Sequence, residues 1–315
     1  MTYIISSKSL LLTAVRHLEW ITEELPPLSP QSILVQTRAG AISIGSELPQ
    51  YTGTASQNDP TRYPRMTGYE SIGTVMACGP AVQHLHPGDR VIAFYGHRTH
   101  AVVPEMKSIL VPGDISDPLA LLTILTCDAA KGVRKVAPKP EEAVLITGAG
   151  AMGLLTLFIL KAYGIVAVDM VEPRVERHTL ARRLGARNVL LPQDVVPTSK
   201  TYSVAFECSS RNEAFALLQN QVQENGRICI TSDGNLEPLE LTPAFHQKEL
   251  QLVGTSDGWD YHQHAAWFFQ EVQQRSTPLE QLFEVQVTSR ELISTFEQLA
   301  IGAIQPVKIQ VSYGS

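Results

Sequence analysis

The stretch Ala143-Val-Leu-Ile-Thr-Gly-Ala-Gly-Ala-Met-Gly153 joins a run of apolar residues to three closely spaced glycines. An apolar helix pattern follows it at once. In a strand–turn–helix unit of this kind, Gly148 permits a tight turn, Gly150 lets a pyrophosphate approach the backbone, and Gly153 lets the helix pack closely on the strand. The stretch therefore predicts a dinucleotide-binding turn.

The first helical residues after this turn, Ala151 and Met152, would present backbone amides to the phosphates. An acidic residue, Glu172, ends the next predicted strand, where a carboxylate accepts hydrogen bonds from the adenosine ribose hydroxyls. This favours NAD over NADP. NADP stays open, because Arg174 or Arg177 could pair with a 2′-phosphate or could be solvated helix-surface charges.

Strand and helix patterns alternate around the glycine turn. The sequence predicts strands at 143–147, 166–171, 188–191, 203–207 and 227–231, and helices at 152–163, 174–184 and 212–221. This alternation is typical of a doubly wound parallel sheet, which we assign to residues 123–279. The first third has short apolar segments between turn signals, and a helix at 289–300 and a strand at 307–311 end the chain. We therefore expect an α/β protein in which a β-rich domain, 1–122 and 280–315, is interrupted by the parallel sheet.

Composition limits the classes of function. The 315 residues carry a net charge of −6 and contain no run of Lys or Arg, which argues against nucleic-acid binding. The four cysteines form no Cys-x-x-Cys pair, as expected for a reducing cytoplasm. Arg16 and His17 interrupt the first apolar run, which we interpret as a strand and not as a signal peptide. The uncharged run at 143–160 is explained by strand plus helix, so no membrane span is expected.

The order of motifs resembles the medium-chain dehydrogenase/reductase superfamily over essentially the whole chain. The motifs are Gly68-Tyr-Glu-Ser-Ile-Gly-Thr-Val75, Gly88-Asp-Arg-Val91, the glycine turn and Ala181-Arg-Arg-Leu-Gly-Ala186. The resemblance implies a GroES-like catalytic domain interrupted by a Rossmann domain, with the active site in the cleft between them. Within the superfamily, Ile42–Glu47, Tyr51–Gly53 and Tyr63–Gly73 are most similar to bacteriochlorophyllide a 3-hydroxyethyl dehydrogenases, which oxidise a secondary alcohol on a tetrapyrrole.

The metal ligands of the zinc-dependent members are missing from this sequence. Their cysteine in the Cys-Gly-Thr/Ser-Asp motif is Ile44 here, the histidine of Gly-His-Glu is Tyr69, and the third ligand falls near Thr123. None of the three is a competent zinc ligand, so the resemblance is to a zinc-free branch with no metal site. The pairs His84/His86, His97/His100 and His262/His264 are interpreted as surface histidines.

Hydride transfer to or from a carbonyl carbon changes the charge on the substrate oxygen, and a group must stabilise that oxyanion or exchange its proton. Without zinc, hydroxyls are the simplest donors. By position we expect Tyr69 to reach the substrate oxygen and Ser46 to match the proton-relay hydroxyl of the family, with Tyr51 as a third donor. The alternatives are a packing aromatic for Tyr69, a turn hydroxyl for Ser46 and a wall residue for Tyr51.

Three charged residues have weaker assignments. Glu47 and Glu70 are expected to order the site and not to transfer protons. Lys308 corresponds to a basic residue of the family that touches the cofactor pyrophosphate, and a surface lysine is the alternative.

Three functions remain open at this stage. The first is NAD-linked, zinc-independent oxidoreduction of a bulky, mostly apolar alcohol or ketone, with the 3-hydroxyethyl group of a bacteriochlorophyllide as one candidate. The second is an NADPH-dependent quinone or enone reductase, and the third is a cofactor-binding homologue without catalysis. A small-molecule substrate and a homodimer are expected in each enzymatic case.

Overall fold

The computed structural model of the protein describes residues 5–54, 63–196, 202–232 and 237–314. The chain divides into two compact units. The N-terminal unit comprises Met1–Leu122 and Leu282–Ser315, and the middle unit comprises Thr123–Gln281.

The strands and helices follow one another along both units. The strands are β1 (Ser6–Ala14), β2 (His17–Glu24), β3 (Ser32–Ile42), β4 (Arg65–Met66), β5 (Glu70–Cys78), β6 (Arg90–Ala93), β7 (His100–Pro104), β8 (Ile109–Leu110), β9 (Val144–Thr147), β10 (Val168–Val171), β11 (Asn188–Leu190), β12 (Tyr202–Glu207), β13 (Val222–Ile230), β14 (Gln251–Gly254), β15 (Phe283–Thr288) and β16 (Lys308–Ser312). The α-helices are α1 (Ile44–Thr52), α2 (Asp117–Leu121), α3 (Thr123–Val136), α4 (Ala151–Ala162), α5 (His178–Arg183), α6 (Asn212–Gln221), α7 (Pro243–Gln247), α8 (Tyr261–Gln274) and α9 (Leu292–Ala300).

The N-terminal unit is built on two sheets. A small sheet has the strand order β2-β1-β4, and a larger one has the order β15-β16-β3-β5-β6-β8, with β7 also paired to β3. The long strand β3 lies antiparallel to β16 on one side and to β5 on the other. Its end, at Ile42, is therefore next to the first residues of both neighbours. Apolar side chains of β1, β3, β16 and α9 form a core below this point.

The middle unit is a parallel sheet with the strand order β11-β10-β9-β12-β13-β14. Numbered from β9, this order is 3-2-1-4-5-6, the arrangement of Rossmann dinucleotide-binding domains. The order reverses between β9 and β12, and ligands of such sheets bind outside the carboxyl ends of the strands at this reversal. The predicted fold class, a GroES-like β-rich domain with a Rossmann sheet, is confirmed.

Several local predictions needed correction. The predicted helix at 174–184 is a 3-10 turn, Val175–Arg177, followed by the shorter α5. Helices α1 and α8 were not predicted, because α1 contains Pro49 and Gly45 and α8 begins among polar residues. A search of the described residues for a helix long and apolar enough to cross a bilayer returns none.

Candidate active-site residues

In the glycine turn between β9 and α4, the backbone leaves open space beside Gly150 and none beside Gly153. Gly148 has a φ of +88°, in the left-handed region that favours glycine. A Cβ on Gly153 would lie 1.9 Å from the carbonyl oxygen of Gly148, so no larger residue fits there without a backbone shift. A Cβ on Gly150 would approach only Nη1 of Arg177, at 4.0 Å. The turn therefore leaves room for another molecule against the backbone of Gly150.

Helix α4 begins directly after Gly150, which is its N-cap residue and provides no side-chain cap. Ala151 and Met152 are in the first turn, where the helix itself does not use the backbone amides. These amides and the positive end of the helix dipole favour an anion. The local structure thus has the features of a phosphate-binding turn.

Glu172 ties this turn to the end of β10. One carboxylate oxygen, Oε2, accepts a hydrogen bond from the Ala149 amide at 2.6 Å, and Oε1 accepts one from the Arg174 amide at 2.9 Å. The Arg177 guanidinium lies 4.0 Å from Oε2. The structure therefore brings Glu172, Arg174 and Arg177 to the glycine turn. Their contacts with a ribose or a 2′-phosphate remain predictions.

A second buried carboxylate, Glu207, lies at the end of β12, beside β9 in the sheet. It accepts hydrogen bonds from the amide and hydroxyl of Ser209 at 2.7 and 2.5 Å and from the Ser210 amide at 3.0 Å, and the Ser232 hydroxyl also donates to it. A Cβ on Gly148 would lie 3.2 Å from the Ser209 Cβ. The loop after β12 thus borders the glycine turn. The sequence analysis did not select it, although an acid at the end of a buried strand is the same signal that identified Glu172.

Three hydroxyls meet in the N-terminal unit. The Tyr69 hydroxyl lies 2.5 Å from Oγ of Ser43 and 3.3 Å from Oγ of Ser46. Burial and the charge of Glu70 raise the pKa of Tyr69 well above its ordinary value, so the phenol keeps its proton. Two predicted site residues, Tyr69 and Ser46, are thus brought together. Ser43 is a third member that the sequence analysis did not single out.

The Ser43 hydroxyl is available to Tyr69 because it does not cap α1. Ser43 is the N-cap residue of α1, yet its hydroxyl makes no capping bond. Instead Glu47 reaches back, and its Oε1 accepts a hydrogen bond from the Ser43 amide at 2.7 Å. The capping-box signal has the acid three residues after the N-cap, and Glu47 is four residues after Ser43, so this signal does not identify the arrangement.

Glu47 also connects the helix to the segment that carries Tyr69. Its Oε2 accepts a hydrogen bond from the Gly68 amide at 2.8 Å and lies 3.3 Å from Nε2 of His97. The other ring nitrogen of His97 lies 3.3 Å from the Tyr313 hydroxyl. The expectation that Glu47 orders the site agrees with these contacts. The interpretation of His97 as a surface residue is wrong, because the strand ends and Tyr313 enclose its ring and leave it 1% exposed.

Lys308 and Glu70 form a buried ion pair. Nζ of Lys308 lies 2.7 Å from Oε1 of Glu70, and the two residues are 1% and 0% exposed. Burial raises the pKa of Glu70, and the Lys308 charge and the nearby Ser43 hydroxyl lower it in part. The predicted contact of Lys308 with a pyrophosphate and its alternative as a surface lysine both fail, because the ammonium is enclosed in the N-terminal unit and donates to Glu70.

The register of β3 with its neighbours β16 and β5 explains why Lys308 and Glu70 lie on either side of Ser43. Ile309 of β16 pairs with Ile42 of β3, so Lys308 lies beside the end of β3. On the other side of β3, Glu70 pairs with Ala41. The ammonium and the carboxylate therefore flank the residue that follows Ile42, which is Ser43.

Tyr51 does not join the hydroxyls. It is buried in α1, and its ring packs against Phe296 of α9 with centroids 5.4 Å apart. No hydrogen bond with Ser43, Ser46 or Tyr69 is present. The prediction of Tyr51 as a third donor is therefore corrected, because the inward face of α1 places it in the hydrophobic core.

The remaining histidines are divided between surface and interior. His84, His86 and His262 are exposed, as predicted, and His100 is half-buried. His264 is buried, with Nε2 3.0 Å from the Thr126 hydroxyl, so its assignment to the surface is wrong.

The residues at the zinc positions of the family do not fit that metal. Ile44 has no donor atom, the Tyr69 phenol is neutral and bonded to serines, and the Glu70 carboxylate is neutralised by Lys308. Within the described ranges, no group of three or more His, Cys, Asp and Glu side chains is placed to hold a metal ion. The arrangement provides hydroxyl donors and an internal ion pair at these positions.

The chain is similar to several dehydrogenases. Residues 29–109 match the family model of the alcohol dehydrogenase GroES-like domain. L-idonate 5-dehydrogenase of Vitis vinifera is 23% identical over 274 residues, which cover 73% of this chain and 74% of that protein.

Solved structures match nearly the whole chain. A protein of Sinorhizobium meliloti 1021 assigned as a zinc-binding dehydrogenase, and solved with NADP, has a TM-score of 0.84 at 19% identity and covers 98% of this chain and 99% of its own. A short-chain alcohol dehydrogenase of Escherichia coli CFT073, solved with NADH, has a TM-score of 0.81 at 20% identity and covers 98% of this chain and 99% of its own. None of these three proteins is a bacteriochlorophyllide dehydrogenase, and that closer resemblance stays a prediction. The chain therefore carries an alcohol dehydrogenase GroES-like domain at residues 29–109 and shares the fold of these dehydrogenases.

Proposed function

We propose that the protein is a zinc-independent, nicotinamide-dependent dehydrogenase that interconverts a secondary alcohol and a ketone. The observation that carries the proposal is the glycine turn, in which Gly153 is closed by the backbone and Gly150 is open. A purely structural turn requires glycine only where the backbone is crowded or strained. Gly150 is open at the start of α4, where the first backbone amides have no partner within the helix, and this combination fits an anionic ligand that occupies the space.

The bound nicotinamide would supply a hydride acceptor or donor at C4 of its ring. The hydroxyl cluster would bind the substrate oxygen. In alcohol oxidation the hydride leaves the carbinol carbon, and Tyr69 accepts the hydroxyl proton as its own proton passes to a neighbouring serine, which releases its own proton in turn. In ketone reduction, Tyr69 donates to the oxygen on which negative charge develops.

Either nicotinamide dinucleotide suits the contacts at the end of β10. Glu172 favours the ribose hydroxyls of NAD, whereas Arg177, 4.0 Å from that carboxylate, could instead pair with the extra phosphate of NADP. The two similar structures named above were solved with NADP and with NADH. We propose NAD as the preferred cofactor.

The substrate is proposed to be a bulky, mostly apolar secondary alcohol, and the 3-hydroxyethyl group of a bacteriochlorophyllide is one member of this class. Sugar acids and polyols form a second class, suggested by the L-idonate 5-dehydrogenase of Vitis vinifera. A homodimer and a cytoplasmic location remain predictions.

The decisive experiment compares two glycine substitutions in the middle unit. Gly150→Ala fills the open space of the turn, whereas Gly254→Ala adds a methyl group at an equally open position at the end of β14. Isothermal titration calorimetry with NAD, NADH and NADPH should show binding to the wild type and to Gly254→Ala. Gly150→Ala should lose at least about tenfold in affinity, because a displaced pyrophosphate forfeits hydrogen bonds to the helix amides.

Turnover of secondary alcohols, polyols and quinones with the preferred cofactor then tests the reaction. Absence of binding by every nicotinamide dinucleotide contradicts the proposal. Tight NADPH binding with quinone or enone reduction would identify the reductase alternative, and binding without turnover on any of these classes would identify a non-catalytic homologue.

A further inference from the structure

We propose that Ser43 and Glu70 extend the hydroxyl cluster into an internal proton relay, and that Glu70 holds the proton which an alcohol substrate loses at Tyr69. The inference rests on the proposed function and assigns a chemical role to two residues that the sequence analysis left outside catalysis. The relay ends inside the N-terminal unit.

The first step of the relay is the contact between Tyr69 and Ser43. Their hydroxyl oxygens are 2.5 Å apart, which is typical of a strong O–H···O hydrogen bond. The Ser43 hydroxyl makes no capping bond to α1, so its proton is free to point either to Tyr69 or away from it.

Ser46 is less suited to pass a proton on. It lies 3.3 Å from the Tyr69 hydroxyl, and its own proton is donated to the Ser43 carbonyl oxygen at 3.2 Å. A carbonyl oxygen is not a proton acceptor at physiological pH. Ser46 therefore does not lead to a base, and the single Tyr69 proton is assigned to the shorter contact with Ser43.

Beyond Ser43 lies a carboxylate oxygen that needs a donor. Oε1 of Glu70 accepts a hydrogen bond from Lys308, whereas the residues that the structure describes provide Oε2 with none of normal geometry, although it is buried. A buried acceptor without a partner is costly, and most such atoms in native proteins are satisfied. The Ser43 hydroxyl is close enough to lower the pKa of the Glu70 carboxyl, and a small movement of the Ser43 and Glu70 side chains would bring the hydroxyl to Oε2 and complete the chain.

The charges around Glu70 suit a group that gains and loses a proton. Burial and the nearby Glu47 carboxylate favour the protonated form, whereas the Lys308 ammonium and the Ser43 hydroxyl favour the anion. These opposing effects raise the pKa of Glu70 without removing the anion's partner. A carboxylate with a raised pKa holds a proton more readily than an exposed one, and the Lys308 ammonium still stabilises its anion, as a reversible reaction requires.

The proton balance is as follows. In oxidation the substrate O–H gives its proton to the Tyr69 oxygen, the Tyr69 proton moves to Oγ of Ser43, and the Ser43 proton moves to Oε2 of Glu70. The electron pair of the carbinol C–H bond leaves as hydride to the nicotinamide dinucleotide. In reduction every O–H bond of the chain reverses, and Glu70 supplies the proton that ends on the substrate oxygen.

The test uses Ser43→Ala and Glu70→Gln in the full-length protein, with Ser108→Ala as the control. Ser108 is a buried serine of the N-terminal unit whose hydroxyl donates one hydrogen bond, to the Pro104 carbonyl, away from the proposed relay. Ser43→Ala and Glu70→Gln should each lower kcat at least about tenfold, the lower range for loss of acid–base catalysis, with unchanged cofactor affinity. The control should retain wild-type kcat.

Two further readouts separate a relay from a structural role. The acidic limb of the kcat–pH profile should disappear in Glu70→Gln, and it should persist in Ser46→Ala. The double variant Ser43→Ala/Glu70→Gln should be no slower than the slower single variant, because both residues serve one chain. Ser43→Thr, which keeps the hydroxyl, should restore most of the activity.

The outcomes are distinguishable from failure of the proposed function. If the wild type oxidises a secondary alcohol and Ser43→Ala keeps its kcat and pH profile, the relay is wrong and the dehydrogenase assignment stands. If Glu70→Gln does not fold, as judged by thermal unfolding, Ser43→Ala and Ser43→Thr decide the question. If the wild type binds no nicotinamide dinucleotide, both proposals fall.

Discussion

Buried carboxylates at the ends of strands are held in different ways in the two units. In the middle unit Glu207 accepts hydrogen bonds from two backbone amides and two serine hydroxyls, and Glu172 accepts from two backbone amides. In the N-terminal unit Glu70 has a lysine ammonium on one oxygen and no normal hydrogen bond on the other from the described residues. Backbone amides are held in place by the fold and do not titrate, so they stabilise the ionised form of a carboxylate. A single flexible cation leaves the protonation state adjustable.

The difference follows from sheet geometry. Parallel strands end at one edge, where turns and helix starts expose several amides that converge on an acid. In the N-terminal unit antiparallel neighbours bring side chains from β5 and β16 to the end of β3. This difference fits the two proposed roles, a rigid frame for an anionic cofactor in the middle unit and an exchangeable proton in the N-terminal unit.

The largest expected effect comes from separating the ion pair. Lys308→Met leaves Glu70 buried without its cation and should lower the free energy of unfolding by about 3–5 kcal/mol. The double variant Lys308→Met/Glu70→Gln should recover most of this loss, because no isolated charge remains. Urea unfolding followed by tyrosine and tryptophan fluorescence measures both. Equal stability of Lys308→Met and the wild type would show that the attraction between Lys308 and Glu70 does not stabilise the folded protein.

A smaller effect is expected when an amide-bound carboxylate loses its charge. Glu207→Gln replaces one acceptor oxygen by an NH2 group that faces donors, and should cost about 2–3 kcal/mol, the value of one lost hydrogen bond to a charged group. Glu224→Gln, an exposed change in the same unit, is the control and should leave unfolding unaltered. A stable Glu207→Gln would contradict the view that the loop after β12 depends on the anion.

The middle unit also holds a neutral histidine, which makes its stability depend on pH. Burial among Trp267 and Phe268 lowers the pKa of His264 to about 3. The unfolded chain binds a proton below pH 6.5 and the folded chain does not, so stability falls as pH decreases from about 6.5 toward 3. Between pH 7.5 and 5 the loss should be about 2 kcal/mol. Thermal unfolding of His264→Phe should lack this loss of stability at low pH. The same pH dependence of stability in the variant and the wild type would refute the assignment to His264.

The smallest effect in free energy concerns the reaction itself. Tyr69→Phe removes one donor to the substrate oxygen and should lower kcat by at least about tenfold, equivalent to about 1.4 kcal/mol. Cofactor affinity should be unchanged, because the proposed cofactor contacts are in the middle unit. Steady-state kinetics and NADH titration measure the two quantities. Wild-type turnover would eliminate the phenol as the oxyanion donor.

Residues whose positions depend on local pattern could be predicted from the sequence. The glycine turn is recognised from consecutive residues, and Glu172 is predicted because it directly follows the next strand. Ser46 and Tyr69 came from family motifs, and the structure places them together. Tyr51 and Lys308 failed because their surroundings depend on long-range packing: Phe296 covers the first, and strand register places Glu70 beside the second. Ser43 could not be ranked above other serines, since its contact with Tyr69, 26 residues away, depends on long-range packing.

Tyr313, two residues before the last in the chain, is buried with its hydroxyl beside His97, whose other nitrogen faces Glu47. The segment after β16 thus fills part of the interior of the N-terminal unit through the Tyr313 side chain. Shortening it at Ser312 would admit water to the imidazole and loosen the anchor of α1, while the glycine turn in the middle unit would be untouched. A purification tag is therefore better placed at the other terminus, or separated from Tyr313 by a spacer.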